Sequence, residues 1–567
     1  MRMKTKKLVS AALCVCMLMG MLTACGQKET GEESGQSSSV AKEETKGSAE
    51  ASKEAQTDDL SEKVTLKLTA SVPATNGDWN EFYCIKQIEE KFNVDIQIEM
   101  ISSDAWTEKF PLMFASNDLP DFFINVSDAD IVTYSSQGYF TALEDYITEE
   151  ATPNLWNLME KYPDVKKAST ELDGHIYAVR GINTDLREQA RNRFYVRTEW
   201  ANEILGKMPE TVDEFYEYLK GVKENDMDGD GDPNNEIPLG GRYNVAEMRN
   251  VMFSLVQSFG HTSLEVEALE DGSVIYVPAQ DSYKEFLKYL NLLYEEELLD
   301  NEFFTQTEEQ YIAKDTQNIY GAHSNYTNFG NGRSTEELFT LYSCIEPMTS
   351  SVNDTKIWSA YPFLFSSNLV ITKECENLDR MLMVMDYIFS EEGQLLINNG
   401  WPQGENPEWP EYGYIAEWSE DGGDLYIDFY GPDGAGDIPD GYEDYNDFRF
   451  NEIGPNYGLF PTVKDFNAVW TEGSGQAWLT QTLVDNVSDY YVCGWPAKVK
   501  YTSEENDELN LLKTDINAYK SEMETKMIIG ELDIEETWPT YIEGLKARGL
   551  EDMVAIWQLA YERYNAN

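Results

Sequence analysis

Val64-Thr65-Leu66-Lys67-Leu68 alternates apolar and polar side chains with a period of two, the mark of a β-strand with one face buried. Outward from it, Phe82, Ile85, Ile88 and Phe92 recur at helical spacing, and Val94, Ile96, Ile98 and Met100 return to strand alternation. A second helix around Trp106, Phe110 and Met113 then leads through Asn117-Asp118-Leu119-Pro120-Asp121 into Phe122-Phe123-Ile124. Strand, helix, strand, helix, strand predicts a mainly parallel sheet covered by crossover helices, an α/β fold. In such sheets ligands meet the carboxyl ends of the strands. That rule directs attention to Asn76, Asp78 and Trp79 after the first strand, and to Asp121 beside the third.

The chain has 567 residues, 43 Lys and Arg against 103 Asp and Glu, and a net charge of −60. A basic face for phosphate is absent from that balance, so nucleic acid is excluded as a partner. With 41% hydrophobic and 13% aromatic residues, the chain can fill a large core, and its length points to more than one lobe.

Residues 1–24 read as a secretion signal: Arg2, Lys4, Lys6 and Lys7 precede an apolar run from Leu8 to Leu22, too short to span a bilayer. The run ends in Leu22-Thr23-Ala24-Cys25, which resembles the bacterial lipobox and implies lipidation (palmitate) at Cys25. Residues 25–61 are rich in Gly, Ser, Glu, Lys and Ala and read as a tether. Residues 62–567 form the folded body. Its four cysteines, Cys84, Cys344, Cys375 and Cys493, have no zinc spacing and read as free buried thiols, with one or two disulfides as the alternative.

Further motifs follow in order. They are Ile88-Glu89-Glu90-Lys91-Phe92-Asn93-Val94, Leu119-Pro120-Asp121, Gly138-Tyr139-Phe140-Thr141-Ala142-Leu143 and Asp173-Gly174-His175-Ile176-Tyr177-Ala178. Next come Tyr195-Val196-Arg197-Thr198-Glu199-Trp200, Pro209-Glu210-Thr211-Val212-Asp213-Glu214-Phe215 and the tail Gln558-Leu559-Ala560-Tyr561-Glu562-Arg563-Tyr564. In this order they resemble the extracellular solute-binding proteins of sugar-type ABC importers, above all the large Gram-positive lipoproteins. The resemblance implies a two-lobed periplasmic-binding-protein-like fold with a hinge between the lobes. Lobe 1 is expected over about 62–180 plus a later segment near 360–430, and lobe 2 over about 185–355 plus C-terminal portions. It also implies a monomer, lipid-anchored on the outer face of the cell membrane, that hands a carbohydrate to permease subunits. The acidity favours a neutral oligosaccharide.

Asp226, Asp228 and Asp230 with Gly231 reproduce the opening of an EF-hand calcium loop. Four Asp within seven residues repel one another unless a cation lies among them, and Ca²⁺ in a structural role is expected. Position 12 is Ile237, so the remaining candidate ligands are Asp232 through its backbone carbonyl, and Asn234, Asn235 and Glu236. Aromatic and amide side chains suit sugar clefts, since sugars offer C–H faces and hydroxyls. On that basis Asn325, Tyr326, Trp358 and Trp401 join Trp79 as candidate ligand contacts, with Arg180 on the expected cleft floor. No catalytic residues are assigned. The three His form no H-E-x-x-H pair, and neither a nucleophile elbow nor a phosphate loop occurs. A secreted glycoside hydrolase and a non-transporting sensor or adhesion lipoprotein stay open as alternatives.

Overall fold

The computed structural model describes residues 60–566, except 73–76, 191, 233, 244, 246–248, 328–334, 419–423, 433, 436–437, 443–444, 456–460, 462, 465–466 and 470–474. The signal, Cys25 and nearly all of the tether therefore lie outside the described residues.

Ten strands build the two principal sheets: β1 (Val64–Val72), β2 (Val94–Ser102), β3 (Phe122–Ile124), β4 (Ala178–Asn183), β5 (Phe194–Arg197), β6 (Ile237–Leu239), β7 (Tyr320–Ser324), β8 (Tyr342–Cys344), β9 (Leu364–Ile371) and β10 (Val463–Lys464). The first sheet has the order β10-β4-β9-β3-β1-β2 and the second β8-β5-β7-β6. β1 runs parallel to both β2 and β3, and β4 parallel to β10. Only β9 opposes its neighbours β3 and β4. The second sheet is more mixed, with β6 and β7 parallel and β5 antiparallel to β7 and β8.

The opening pattern folds as its periodicity dictates. Leu66 and Leu68 are buried while Lys67 is exposed, and helix Tyr83–Phe92 buries Cys84, Ile85, Ile88 and Phe92 on one face. Asn93 (φ 48°) and Asn117 (φ 54°) end the first two long helices in the left-handed conformation, turning the chain toward the next strand. Thr211 caps helix Val212–Glu224 by accepting the Glu214 N–H at 3.1 Å. The Glu214 carboxylate closes this cap on the Glu210 N–H at 2.9 Å, one residue further back than a capping box places it.

The strand at the free end of the first sheet, β2, is closed off by side chains. Asn80 donates to the Ile98 carbonyl at 3.1 Å and accepts the Ile98 N–H at 2.9 Å, while Glu89 accepts the Ile96 N–H at 2.7 Å.

Two large cores accompany the two sheets. One gathers Leu66, Ile88, Val94, Phe122, Val179, Leu369, Met385 and Val463 among others, and helices Ser103–Ser116 and Asp128–Ser136 cover the opposite face of that sheet with Trp106, Phe110, Phe114 and Ile131. The other takes Phe194, Phe215, Leu255, Phe286, Ala322 and Tyr342, and also Leu479, Leu509, Ile516 and Trp557 from the tail. The tail stripe Met553, Ile556, Trp557 and Ala560 is therefore packing, as its spacing predicts. Trp401, Phe429, Phe448 and Ile453 form a small cluster of their own.

In chain order the described elements change sides at three places: between β4 and β5 (184–193), between β8 and β9 (345–363), and between β10 and helix Gly475–Asn486, which packs on the second core. All four body cysteines are free thiols. Cys84 and Cys344 are buried as expected, whereas Cys375 is half-buried and Cys493 exposed, because it sits in the loop just beyond a surface strand.

Candidate functional site

The parallel strands β1, β2, β3 and β4 end on one edge of the first sheet, and β6 and β7 end on the facing edge of the second. Segment 184–193 runs between these edges and carries a dense set of charged side chains. Asp185 accepts the Arg187 N–H at 3.0 Å, turning the chain into the short helix Leu186–Gln189, and its carboxylate pairs with Lys464 of β10 at 2.7 Å. Arg187 lies 3.2 Å from Glu188. Burial opposes the charge on both acids. Lys464 and Arg187 nevertheless hold Asp185 below the usual carboxylate range, and Arg187 and Arg193 do the same for Glu188.

Asn325 and Tyr326 follow the carboxyl end of β7. The Asn325 N–H donates to the Arg193 carbonyl at 3.2 Å, and the Tyr326 hydroxyl donates to Glu188. Arg193 is fully buried, donates to the carbonyls of Tyr326 and Arg187, and places its guanidinium carbon 4.3 Å from the Tyr326 ring centre. Burial, and then the Glu188 charge, push the Tyr326 phenol up to about 12. Trp358 lies just beneath, buried, with its indole N–H on the Asn192 carbonyl at 3.2 Å.

A second charged cluster joins the two cores without a chain crossing. Arg180, 3% exposed on β4, donates to Asp128 at the start of helix Asp128–Ser136. Lys498 reaches the other Asp128 oxygen at 2.8 Å, and Lys500 reaches Glu171 at 2.5 Å. Both lysines lie between Trp495 and Tyr501, which pack on the second core. Burial raises Asp128, but Arg180 and Lys498 outweigh it and bring the carboxyl to about 2. Burial dominates at the neighbouring pair, raising the Glu171 carboxyl and lowering the Lys500 ammonium.

Of the expected ligand contacts, the structure brings together Asn325, Tyr326 and Trp358 around the crossing, with Arg180 in the neighbouring cluster. Four others are corrected. Trp79 and Trp401 are both 0% exposed and serve as core side chains, Trp401 with its indole N–H on the Tyr412 carbonyl at 2.9 Å. Asp121 stands at the amino end of β3, where its carboxylate accepts the Lys67 N–H at 2.7 Å, the wrong end of the strand for a cleft. Asp78 caps the short helix Trp79–Glu81, accepting Asn80 N–H at 3.0 Å and the Asn80 amide at 2.8 Å. Asn76 lies outside the described residues. Sequence reasoning missed Arg187, Glu188, Arg193 and Asp128. The signal was present: Leu186-Arg187-Glu188-Gln189-Ala190-Arg191-Asn192-Arg193 concentrates arginine in a strongly acidic chain. Away from this site, a cavity of 580 Å³ opens on the amino side of β3, lined among others by Lys67, Gln97, Glu99, Lys109, Leu112 and Met113; none of its residues belongs to the crossing.

The acidic loop after helix Val212–Glu224 curls on itself. One carboxylate oxygen each of Asp226, Asp228 and Asp230 lies within 4.8 Å of the others. Asp226 accepts the N–H groups of Gly229 and Gly231, both at 2.9 Å, and these glycines take φ of 76° and 96°, which the turn requires. Asp232 accepts the Asn234 N–H and amide at 3.2 Å, so both are engaged within the loop. Glu236 is buried, and one oxygen accepts the Met227 and Asp228 N–H groups at 2.6 and 3.2 Å. Its other oxygen and the Asn235 side-chain oxygen are buried without a hydrogen-bond partner among the described residues. Three converging carboxylates with orphaned buried oxygens nearby fit a hard cation that takes oxygen ligands.

No protein-family model matches the chain. It is homologous to the fructooligosaccharide ABC transporter substrate-binding protein FusA of Streptococcus pneumoniae, with 26% identity over 522 residues, 88% of this chain and 90% of that protein. It is 23% identical to lipoprotein LipO of Bacillus subtilis over 333 residues, 56% of this chain and 62% of that one. The structure of FusA in complex with kestose matches with a TM-score of 0.67 at 24% identity, covering 89% of this chain and all of the other. An extracellular solute-binding protein from Bifidobacterium longum subsp. infantis matches with a TM-score of 0.73 at 19% identity over 88% of this chain and 98% of the other. FusA has also been solved as an EF-hand mutant. The resemblance read from the sequence is thereby borne out, as is the two-lobed α/β fold. The homologue is a transporter's substrate-binding protein and not an enzyme.

Proposed function

We propose that the chain is the solute-binding component of an ABC importer, capturing a carbohydrate between its lobes and delivering it to the permease. The homology over 88% of its length carries this reading. The meeting of both sheets' carboxyl ends at segment 184–193 supports it, because the charged and aromatic groups there are of the kind that grips sugar hydroxyls and C–H faces. A neutral oligosaccharide fits the overall acidity best. The lobes are taken as about 62–180 with about 360–430, and about 185–355 with the C-terminal portions. Ligand contacts common to both lobes would favour a closed form, which the permease then reads. Cleavage before Cys25 and its lipidation would hold a single copy at the outer membrane face on the 26–61 tether. Among the described residues no helix is long and apolar enough to cross a membrane.

Ca²⁺ would be held by Asp226, Asp228 and Asp230, with Asp232, Asn234 and Glu236 completing the loop, and it would brace the end of helix Val212–Glu224. Its role there is structural.

The test is a thermal-shift screen of the chain from residue 26, calcium-loaded, against kestose, other neutral oligosaccharides, oligogalacturonates, polyamines and short peptides. A ligand at a hundred times its dissociation constant adds about 2.7 kcal/mol, a clear rise in melting temperature. A neutral oligosaccharide recovered intact is the expected hit. Cleavage of the glycan, or silence of every sugar beside a peptide or polyamine hit, would overturn the reading. Chelation should lower the melting temperature of the same protein, and an unchanged one would remove calcium from the account.

A further inference from the structure

Tyr326 is held as no other expected ligand contact is. Its N–H donates to the Asn325 side-chain oxygen at 2.8 Å, its carbonyl accepts from Arg193, and its hydroxyl donates to Glu188. The Arg193 guanidinium covers one ring face at 4.3 Å. Trp79 and Trp401 are sealed in cores and Trp358 is nearly so, yet Tyr326 is half-buried at the carboxyl end of β7, beside the crossing. An aromatic ring fixed at its backbone, its hydroxyl and one face has lost its rotational freedom before any ligand arrives. That removes part of the ordering cost of binding.

We propose that Tyr326 is the stacking platform for a sugar ring, presenting the face opposite Arg193, and that Glu188 and Arg193 are positioning residues that hold it. The assignment rests on the carbohydrate reading above and sharpens it. Glu188, held below the usual carboxylate range by Arg187 and Arg193, keeps a negative charge at the platform's edge that repels a uronate. The ring stacked at this subsite is therefore an uncharged one. Glu188 and Arg193 come from the crossing and Tyr326 from the second sheet, so the platform's aim is set where the lobes join.

Calorimetry on the calcium-loaded chain from residue 26 tests this, using kestose first and otherwise the strongest sugar of the panel. Tyr326→Ala should weaken binding on the order of tenfold while the ligand-free protein stays folded, its melting temperature lowered but its unfolding still cooperative. Tyr326→Phe keeps the ring, loses the tie to Glu188, and should weaken binding by a few-fold. Glu188→Ala should do the same, and combining it with Tyr326→Phe should add nothing, because both remove one hydrogen bond. Glu188→Gln should narrow the preference for neutral over acidic sugars. Wild-type binding with Tyr326→Ala within twofold of it would overturn the platform and leave the transport reading standing. Additive losses in the double variant would overturn the positioning roles. Wild-type silence toward every sugar would overturn the carbohydrate reading, and the platform with it.

Discussion

The two charged clusters between the cores are built from the same residue types but are joined differently. At the crossing, Asp185, Arg187, Glu188 and Arg193 sit on the chain that links β4 to β5, so covalent connectivity holds them together. In the other cluster, Lys498 and Lys500 belong to a segment packed on the second core, while Asp128, Glu171 and Arg180 belong to the first, and ion pairs rather than the backbone join them. A change in the angle between the lobes can leave the first cluster whole but must stretch or break the second. One is built as a pivot and the other as a clasp.

Three experiments bear on that contrast. The largest effect is expected at the pivot. Lys464→Met strips Asp185, almost wholly buried, of its closest cation and leaves it only Arg187 at 3.8 Å; removing one partner of such a buried pair costs about 3 kcal/mol in denaturant unfolding. A loss below about 1 kcal/mol would show that the pivot is no more demanding than a surface pair. At the clasp, Lys500→Met alone should cost about 2 kcal/mol, since Glu171 is buried but Lys500 keeps some solvent. Adding Glu171→Met should restore most of that stability and still widen the ligand-free molecule in small-angle scattering. An unchanged radius would deny that these side chains hold the lobes together.

The smallest effect is one of pH. Asp128 ionises at about 2 in the folded chain, against an ordinary value of about 4. Its contribution is therefore full above the ordinary value and is lost as the pH falls through about 2. Scattering between pH 5 and 2 should show the molecule opening over the lower part of this range, and Asp128→Asn should already be open at pH 5. An opening that is complete well above pH 4 and persists in Asp128→Asn would assign the effect to Glu171, whose carboxyl burial raises.

The order of elements was legible because it rests on periodicity. The alternation of Val64 to Leu68 and the spacing of Ile85, Ile88 and Phe92 are local signals that tertiary packing only confirmed. The sites were harder, since burial is a property of the assembled molecule. Trp79 and Trp401 stand in polar, turn-like sequence, and nothing local says that Met100 or Phe448 will close over them. The carboxyl-end rule was sound but was applied at the wrong end of a three-residue strand. Asp121 precedes β3, whereas Asp128, seven residues later, follows it and meets Arg180. Asn325 and Tyr326 drew notice because an amide and an aromatic stand together in a polar loop, the combination that suits sugar hydroxyls and C–H faces. Glu188 and Arg193 were passed over because charged residues in an acidic chain read as solvated surface, although here the backbone carries them between two cores.

The side chains that finish the first sheet have a consequence of their own. A sheet's last strand offers free N–H and C=O groups to any extended chain that drifts past, and aggregation often begins at such an edge. On β2 the outward groups of Ile96 and Ile98 are already taken by Glu89 and Asn80. A protein crowded beside identical copies would thus present a blunted template at this edge. Asn80→Ala, silent for ligand binding, is where self-association would first be looked for.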